Sequence, residues 1–233
     1  MPHHSSLGIR QRLSANGYRL RKAAIGLLLL CAACASRKTP QYGDPNILFQ
    51  DDFSQTTTGW DAHIGSDATT NYEDGQYLIG VEQAGVDVWA QPGLKLTNLT
   101  LEVDTTYAAG PLNNEYGVMC RYTRKGDKSD FYFFLISSDG YYAMGKVVAN
   151  KRTILQPTTG DFQPSSAILP DPTAVNRLSA TCNGQHLSFS VNSTLLGEFD
   201  DDELSRGDIG LMAGTYDEVG VKIHFDNLVV RKP

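Results

Sequence analysis

Along most of the chain, apolar and polar residues alternate in short runs, each stopped by Gly, Asn, Asp or Pro. A period of two is the mark of a β-strand with one buried face. The pattern predicts strands over 47–53, 76–81, 87–91, 99–107, 116–122, 131–137, 141–148, 177–182, 186–191, 193–199, 208–213 and 221–231. Between them stand turn signals: Glu73-Asp74-Gly75, Lys125-Gly126-Asp127, Asp139-Gly140 and Asn183-Gly184. No long amphipathic helix is predicted, and only Asp201–Ser205 reads as a helical turn. No period repeats along the chain. About twelve short strands in about 185 residues predict an all-β, two-sheet antiparallel sandwich.

The pattern breaks at the N-terminus. Arg10, Arg12, Arg19, Arg21 and Lys22 form a basic leader without acids, and the apolar run Ala23–Ala33 follows. That run is shorter than the roughly 20 residues of a membrane-spanning helix and suits the core of an export signal. Ala32 and Ala33 place small side chains before Cys34, whose thiol is the expected lipidation site. The arrangement resembles a bacterial lipobox, with Cys31 where leucine is commonest. The expected organisation is a lipoprotein signal peptide at 1–33, a polar tether at 34–46 and one domain at 47–233. A secretory signal without lipid, an uncleaved anchor, and a Cys31/Cys34 redox pair are the competing readings. In every case the domain is exported.

Export changes how the charge and the remaining cysteines are read. The net charge of −6 hides an asymmetry. Five of the 20 basic residues precede Cys34 and none of the 26 acids do, which leaves 15 basic against 26 acidic side chains, near −11. Such a surface repels phosphate backbones, so nucleic acid is not an expected partner. Only Cys120 and Cys182 remain beyond Cys34, and both fall in the apolar phase of their strands. In an oxidising compartment they are expected to form a buried disulfide, with a free buried pair as the alternative. Closing a loop of about sixty residues stabilises by roughly 4 kcal/mol in the chain-entropy model.

Several stretches resemble the bacterial concanavalin A-like sandwich domains. They are Phe49-Gln-Asp-Asp-Phe-Ser54 with Gly59-Trp60, Asn114 to Tyr122, Asp130 to Ser137 with Asp139-Gly-Tyr-Tyr142, and Asn176-Arg-Leu178. Gly184 to Asn192, Gly207 to Leu211 and Phe225 to Val230 complete the series. The resemblance covers roughly 47–231 and extends to the laminin G-like and 3-keto-disaccharide hydrolase-like groups. It implies a jelly roll with a concave sheet that recognises a glycan or a cell-surface protein. The fold hosts lectins, glucanases and adhesion modules alike, so it leaves the activity open.

With that architecture, alternation assigns faces. Tyr132, Phe134 and Ile136 are expected in the core. Phe131, Phe133, Leu135 and Ser137 then face the other way, in line with Met119 and Arg121. Aromatic rings beside a guanidinium suit a sugar, whose apolar face stacks while its hydroxyls take the donors. Arg121, Phe131, Phe133 and Trp89 are therefore the candidate carbohydrate-binding residues. The competing reading has this face covered by the Pro-rich segment 158–172. Trp60 is expected in the core.

Catalytic signals are weak. Glu102 and Asp104 share a strand face in a stretch resembling laminarinase-type enzymes, but Thr106 stands where the third acid would be. A glycoside-cleaving hydrolase is thus the lesser alternative, and an acid-decorated strand the greater. His63, His186 and His224 lack metal-ligand spacing. Asp200–Glu203 is an acid cluster that could bind Ca²⁺ but lacks the spacing of a loop site, and Asp52 with Asp226, on the first and last strands, is a second place for a structural Ca²⁺. No cofactor is expected. The sequons at Asn98 and Asn192 are read as chance.

Overall fold

The computed structural model describes residues 44–233. The signal peptide, Cys34 and most of the tether lie outside the described residues. Strands in chain order are β1 (Ile47–Asp51), β2 (His63–Ile64), β3 (Ala68–Glu73), β4 (Gln76–Val81), β5 (Asp87–Ala90) and β6 (Leu99–Ala109). They continue with β7 (Asn114–Lys125), β8 (Lys128–Ile136), β9 (Tyr141–Val148), β10 (Lys151–Gln156) and β11 (Gln163–Pro164). The last are β12 (Val175–Asn183), β13 (His186–Val191), β14 (Thr194–Asp200), β15 (Asp208–Thr215) and β16 (Val221–Arg231).

Two antiparallel sheets stack into a jelly-roll sandwich. One runs β14-β13-β12-β6-β16-β4-β3-β2, with β1 on β16. The other runs β10-β9-β8-β7-β15-β5, with β11 on β9. No helix occurs among the described residues; Asp201–Ser205, expected as a helical turn, is irregular. Its acids are spent on side-chain contacts instead: Asp201 and Glu203 pair with Lys146, and Asp201 accepts from the Tyr132 hydroxyl.

Between the sheets lies the main core. Leu99, Leu101 and Val103 face Tyr116, Val118 and Cys120, with Tyr132, Phe134 and Ile136 beside them. Trp60 joins this core and donates through Nε1 to Asp51 at 3.0 Å. Cys120 and Cys182 form the expected disulfide, joining β7 to β12 across the core.

A second cluster covers the outer face of the seven-stranded sheet: Trp89, Met119, Phe131, Phe133, Leu135, Val147 and Met212. Tyr122, Ile154 and Phe162 pack over it. The sheet curls to make this possible. Gly145 of β9 has no side chain, and a Cβ there would strike the Thr153 carbonyl and the Phe133 ring, so β10 bends over the outer face. A guanidinium on β10 (Arg152) thereby reaches carboxylates on β7 and β5. Such reach requires the outer face to be concave.

Candidate functional site

Three of the four expected sugar-binding residues meet on this concave face. Trp89 and Phe131 have ring centroids 5.9 Å apart, and Phe133 belongs to the same cluster. They are not an open platform, however. Phe131 and Phe133 are each 1% exposed and Trp89 is 5% exposed. Of the two readings for the face, the covered one holds: Phe162 comes from the Pro-rich segment and packs onto the cluster. Trp89 Nε1 finds no hydrogen-bond partner among the described residues.

Arg121 is not on this face at all. A β-bulge follows Cys120, with Arg121 in the left-handed region at φ 57°. The extra residue reverses the alternation. Arg121 turns inward over the Tyr132 ring, and Tyr122 turns outward onto Phe131. Buried to 1% exposure, Arg121 donates to three backbone carbonyls: Nε to Thr97 at 3.3 Å, Nη1 to Leu204 and Nη2 to Gly184, each at 2.7 Å.

The guanidinium that does occupy the concave face is Arg152. It lies 4.6 Å from the Phe133 ring centre and 6.0 Å from that of Phe162. It donates to both oxygens of Glu115, at 2.5 and 2.9 Å. The Tyr216 hydroxyl donates to the same carboxylate at 2.7 Å. Asp87 stands 3.8 Å from Arg152 Nη1.

The backbone explains this meeting. Asp87, Gly214 and Glu115 lie in register across β5, β15 and β7. A Cβ at Gly214 would collide with Asp87 Oδ1, so only glycine lets the two carboxylates approach over it. Burial first, then the charge of Glu115, pushes Asp87 well above the usual carboxylate range. Burial also works to raise Glu115, but the charge and hydrogen bonds of Arg152 outweigh it and hold Glu115 below its ordinary value. Burial, followed by the Glu115 charge, raises Tyr216. The network therefore joins two carboxyl groups, a guanidinium and a phenol, with Asp87 pushed towards its protonated form and Glu115 towards its charged form. Glu115 is 2% exposed, and Arg152 Nε is buried without a hydrogen-bond partner among the described residues.

Tyr216 leads from this network to open space. A cavity of about 310 Å³ opens at the end of the seven-stranded sheet, near the lower limit of small-molecule sites. Its walls are Tyr216 past β15, Phe162, Tyr141 at the start of β9, Ser137 and Asp139 of the β8–β9 turn, Asn113 just before β7 and Asn114 at its first position. Asn114 is buried and ties its loop down: Nδ2 donates to Pro111 O and Ser138 Oγ, and Oδ1 accepts from Ser138 N. Ser137 Oγ accepts from Tyr141 N and donates to Asp139. Tyr141 remains 39% exposed, and Asn113 and Asp139 are also exposed. The cleft thus sets one fixed ring wall (Tyr216) and two further aromatic rings beside an amide, a carboxylate and a hydroxyl.

The other candidate acids are elsewhere. Glu102 and Asp104 lie on the outer face of the nine-stranded sheet and both bind Arg177, at 3.3 and 3.0 Å. His186 contacts Asp200 at 3.2 Å, and His224 contacts Glu73 at 3.1 Å. Among the described residues, no group of three or more His, Cys, Asp or Glu side chains is placed to hold a metal ion.

No protein-family model matches this chain, and no curated protein does. Solved structures do. A carbohydrate-binding module, CBM66, from Bacillus subtilis shares 15% identity at a TM-score of 0.57, over 75% of this chain and 96% of that one. A Bacillus subtilis protein of galectin-like fold shares 10% at a TM-score of 0.61, over 82% and 97%. The Bacillus licheniformis β-glucanase shares 11% at a TM-score of 0.57, over 79% and 97%. At these identities what is shared is the fold: the chain is a concanavalin A-like jelly-roll sandwich.

Proposed function

We propose that the protein is a non-catalytic glycan-binding module, exported and held at the cell surface by a lipid on Cys34. The observation that carries the reading is the cleft of Tyr141, Phe162 and Tyr216. A pyranose has an apolar face and a rim of hydroxyls, and this cleft offers aromatic rings beside Asn113, Ser137 and Asp139. Neighbours of the same fold, named as a carbohydrate-binding module and as a glucanase, support the direction. The non-catalytic part rests on the acids. Glycoside cleavage needs two carboxylates flanking the bond, one of them reaching it as an acid. Asp87 and Glu115 are instead engaged with each other, Arg152 and Tyr216, while Glu102 and Asp104 are held by Arg177 on the opposite surface.

A glycan array probed with the full chain in detergent micelles tests the reading, with Tyr141→Ala as the paired variant. Saturable binding to some glycans, weakened at least tenfold in Tyr141→Ala, is expected. A folded, disulfide-intact sample that binds nothing on a broad array overturns it and moves the weight to a cell-surface protein partner.

A further inference from the structure

We infer that the cleft selects uncharged sugar units and turns away acidic ones. The inference rests on the glycan reading and adds the chemical class of the ligand. No Lys, Arg or His lines the cavity; its single formally charged wall group is Asp139. One oxygen of that carboxylate accepts from the Ser137 hydroxyl, which fixes its direction. Behind the wall lies the cation Arg152, 6.0 Å from the centre of the Phe162 ring. Its Nη atoms are engaged by Glu115, with Asp87 3.8 Å from Nη1, and its one unpartnered donor, Nε, is buried, so its charge is already answered by carboxylates before a ligand anion arrives.

A uronate, sialate or sulfate entering this cleft loses water and gains no counter-ion, which is costly even when the group is only partly desolvated. It also meets Asp139 at short range. One like charge a few ångströms away across a half-open cleft is worth about tenfold in affinity. A neutral sugar meets the opposite situation. Its hydroxyls donate to the Asp139 carboxylate, a charge-assisted bond stronger than a neutral one. The Asn113 amide supplies the matching donor. A pair of adjacent hydroxyls therefore finds one acceptor and one donor on the same rim.

The test uses the full chain in detergent micelles against matched glycans. Oligosaccharides ending in neutral hexose are paired with their uronate, sialylated and sulfated counterparts, at about 20 mM and 500 mM salt. Neutral members are expected to bind at least tenfold more tightly, with the gap narrowing at high salt. Asp139→Asn keeps an oxygen for the Ser137 hydroxyl and removes the charge. It is expected to weaken neutral binding severalfold and to shrink the neutral-to-acidic gap by about tenfold. Equal or tighter binding of the acidic members overturns the inference and leaves the glycan reading standing. An unchanged gap in Asp139→Asn overturns the assignment to Asp139. Binding to neither kind overturns the glycan reading and this inference with it.

Discussion

Replacing Arg152 by methionine isolates the electrostatic content of the concave face. The methionine stem still covers the Phe133 ring, so little packing is lost. What goes is the bidentate partner of Glu115, at 2.5 and 2.9 Å, and the nearby charge facing Asp87. Breaking a buried pair by removing one member costs about 3–5 kcal/mol, because the remaining charge is left uncompensated. Arg152 is 21% exposed in its side chain, so water reaches the gap in part and the lower end, about 3 kcal/mol, applies. With a urea slope near 2 kcal/mol per molar, the unfolding midpoint at pH 7 should fall by about 1.5 M. The loss should depend on pH. In the native protein Glu115 is held below 4.5, so its contribution is present above that value and fades as pH falls. Without Arg152, burial dominates and raises Glu115, so the variant gains stability as pH drops towards 4. Equilibrium urea unfolding from pH 4 to 8 should therefore show the two proteins converging in acid. A loss under 1 kcal/mol at pH 7, or a gap that is flat with pH, refutes the reasoning.

Asp87→Asn mimics the protonated carboxyl. Because Asp87 is raised, the stability it contributes is fully present below 3.8 and is lost as pH climbs through its raised value. The variant should thus overtake the native protein in alkali by about 1 kcal/mol or more, and parallel pH profiles in urea unfolding would argue against a shared proton. Gly214→Ala forces a Cβ into Asp87 and Glu115 and should cost about 1–3 kcal/mol in thermal unfolding; a change under 0.5 kcal/mol would mean the carboxylates do not need the gap. Cys34→Ala should move the protein from the membrane fraction to the soluble exported fraction and abolish labelling by a palmitate analogue; continued membrane retention with labelling would place the lipid elsewhere.

Much of the fold was legible in the alternation. The expected spans 76–81, 141–148, 186–191 and 221–231 coincide with β4, β9, β13 and β16, and in β13 and β16 buried positions alternate with more open ones. β3 (Ala-Thr-Thr-Asn-Tyr-Glu) and β10 (Lys-Arg-Thr-Ile-Leu-Gln) escaped, because each lies at or near a sheet edge and carries too few apolar residues to show a period. Alternation also put Phe131, Phe133 and Leu135 on one face correctly, but nothing local reveals that Arg152 and Phe162 will cover it. Arg121 was misplaced for a definite reason: a bulge adds one residue, and one residue inverts every later side chain. The cleft was invisible as a unit, since its walls come from four separate segments. Its only local trace was Asp139-Gly140-Tyr141-Tyr142, a turn followed by an aromatic that has no apolar phase to fill.

The path of the chain gives the molecule a direction. Ile47 pairs with Arg231, Arg231 with Thr100, and next to Thr100 stands Leu99, opposite disulfide-bonded Cys182. The N-terminal segment therefore joins at the disulfide pole. The cleft lies at the other pole, where β7 begins, about 23 Å from Arg121 along the strand. A pull between Ile47 and the cleft therefore runs along the strands rather than across them. Such a load is borne in shear, with many ladder hydrogen bonds resisting together and the Cys120–Cys182 bond locking the sheets at the loaded end.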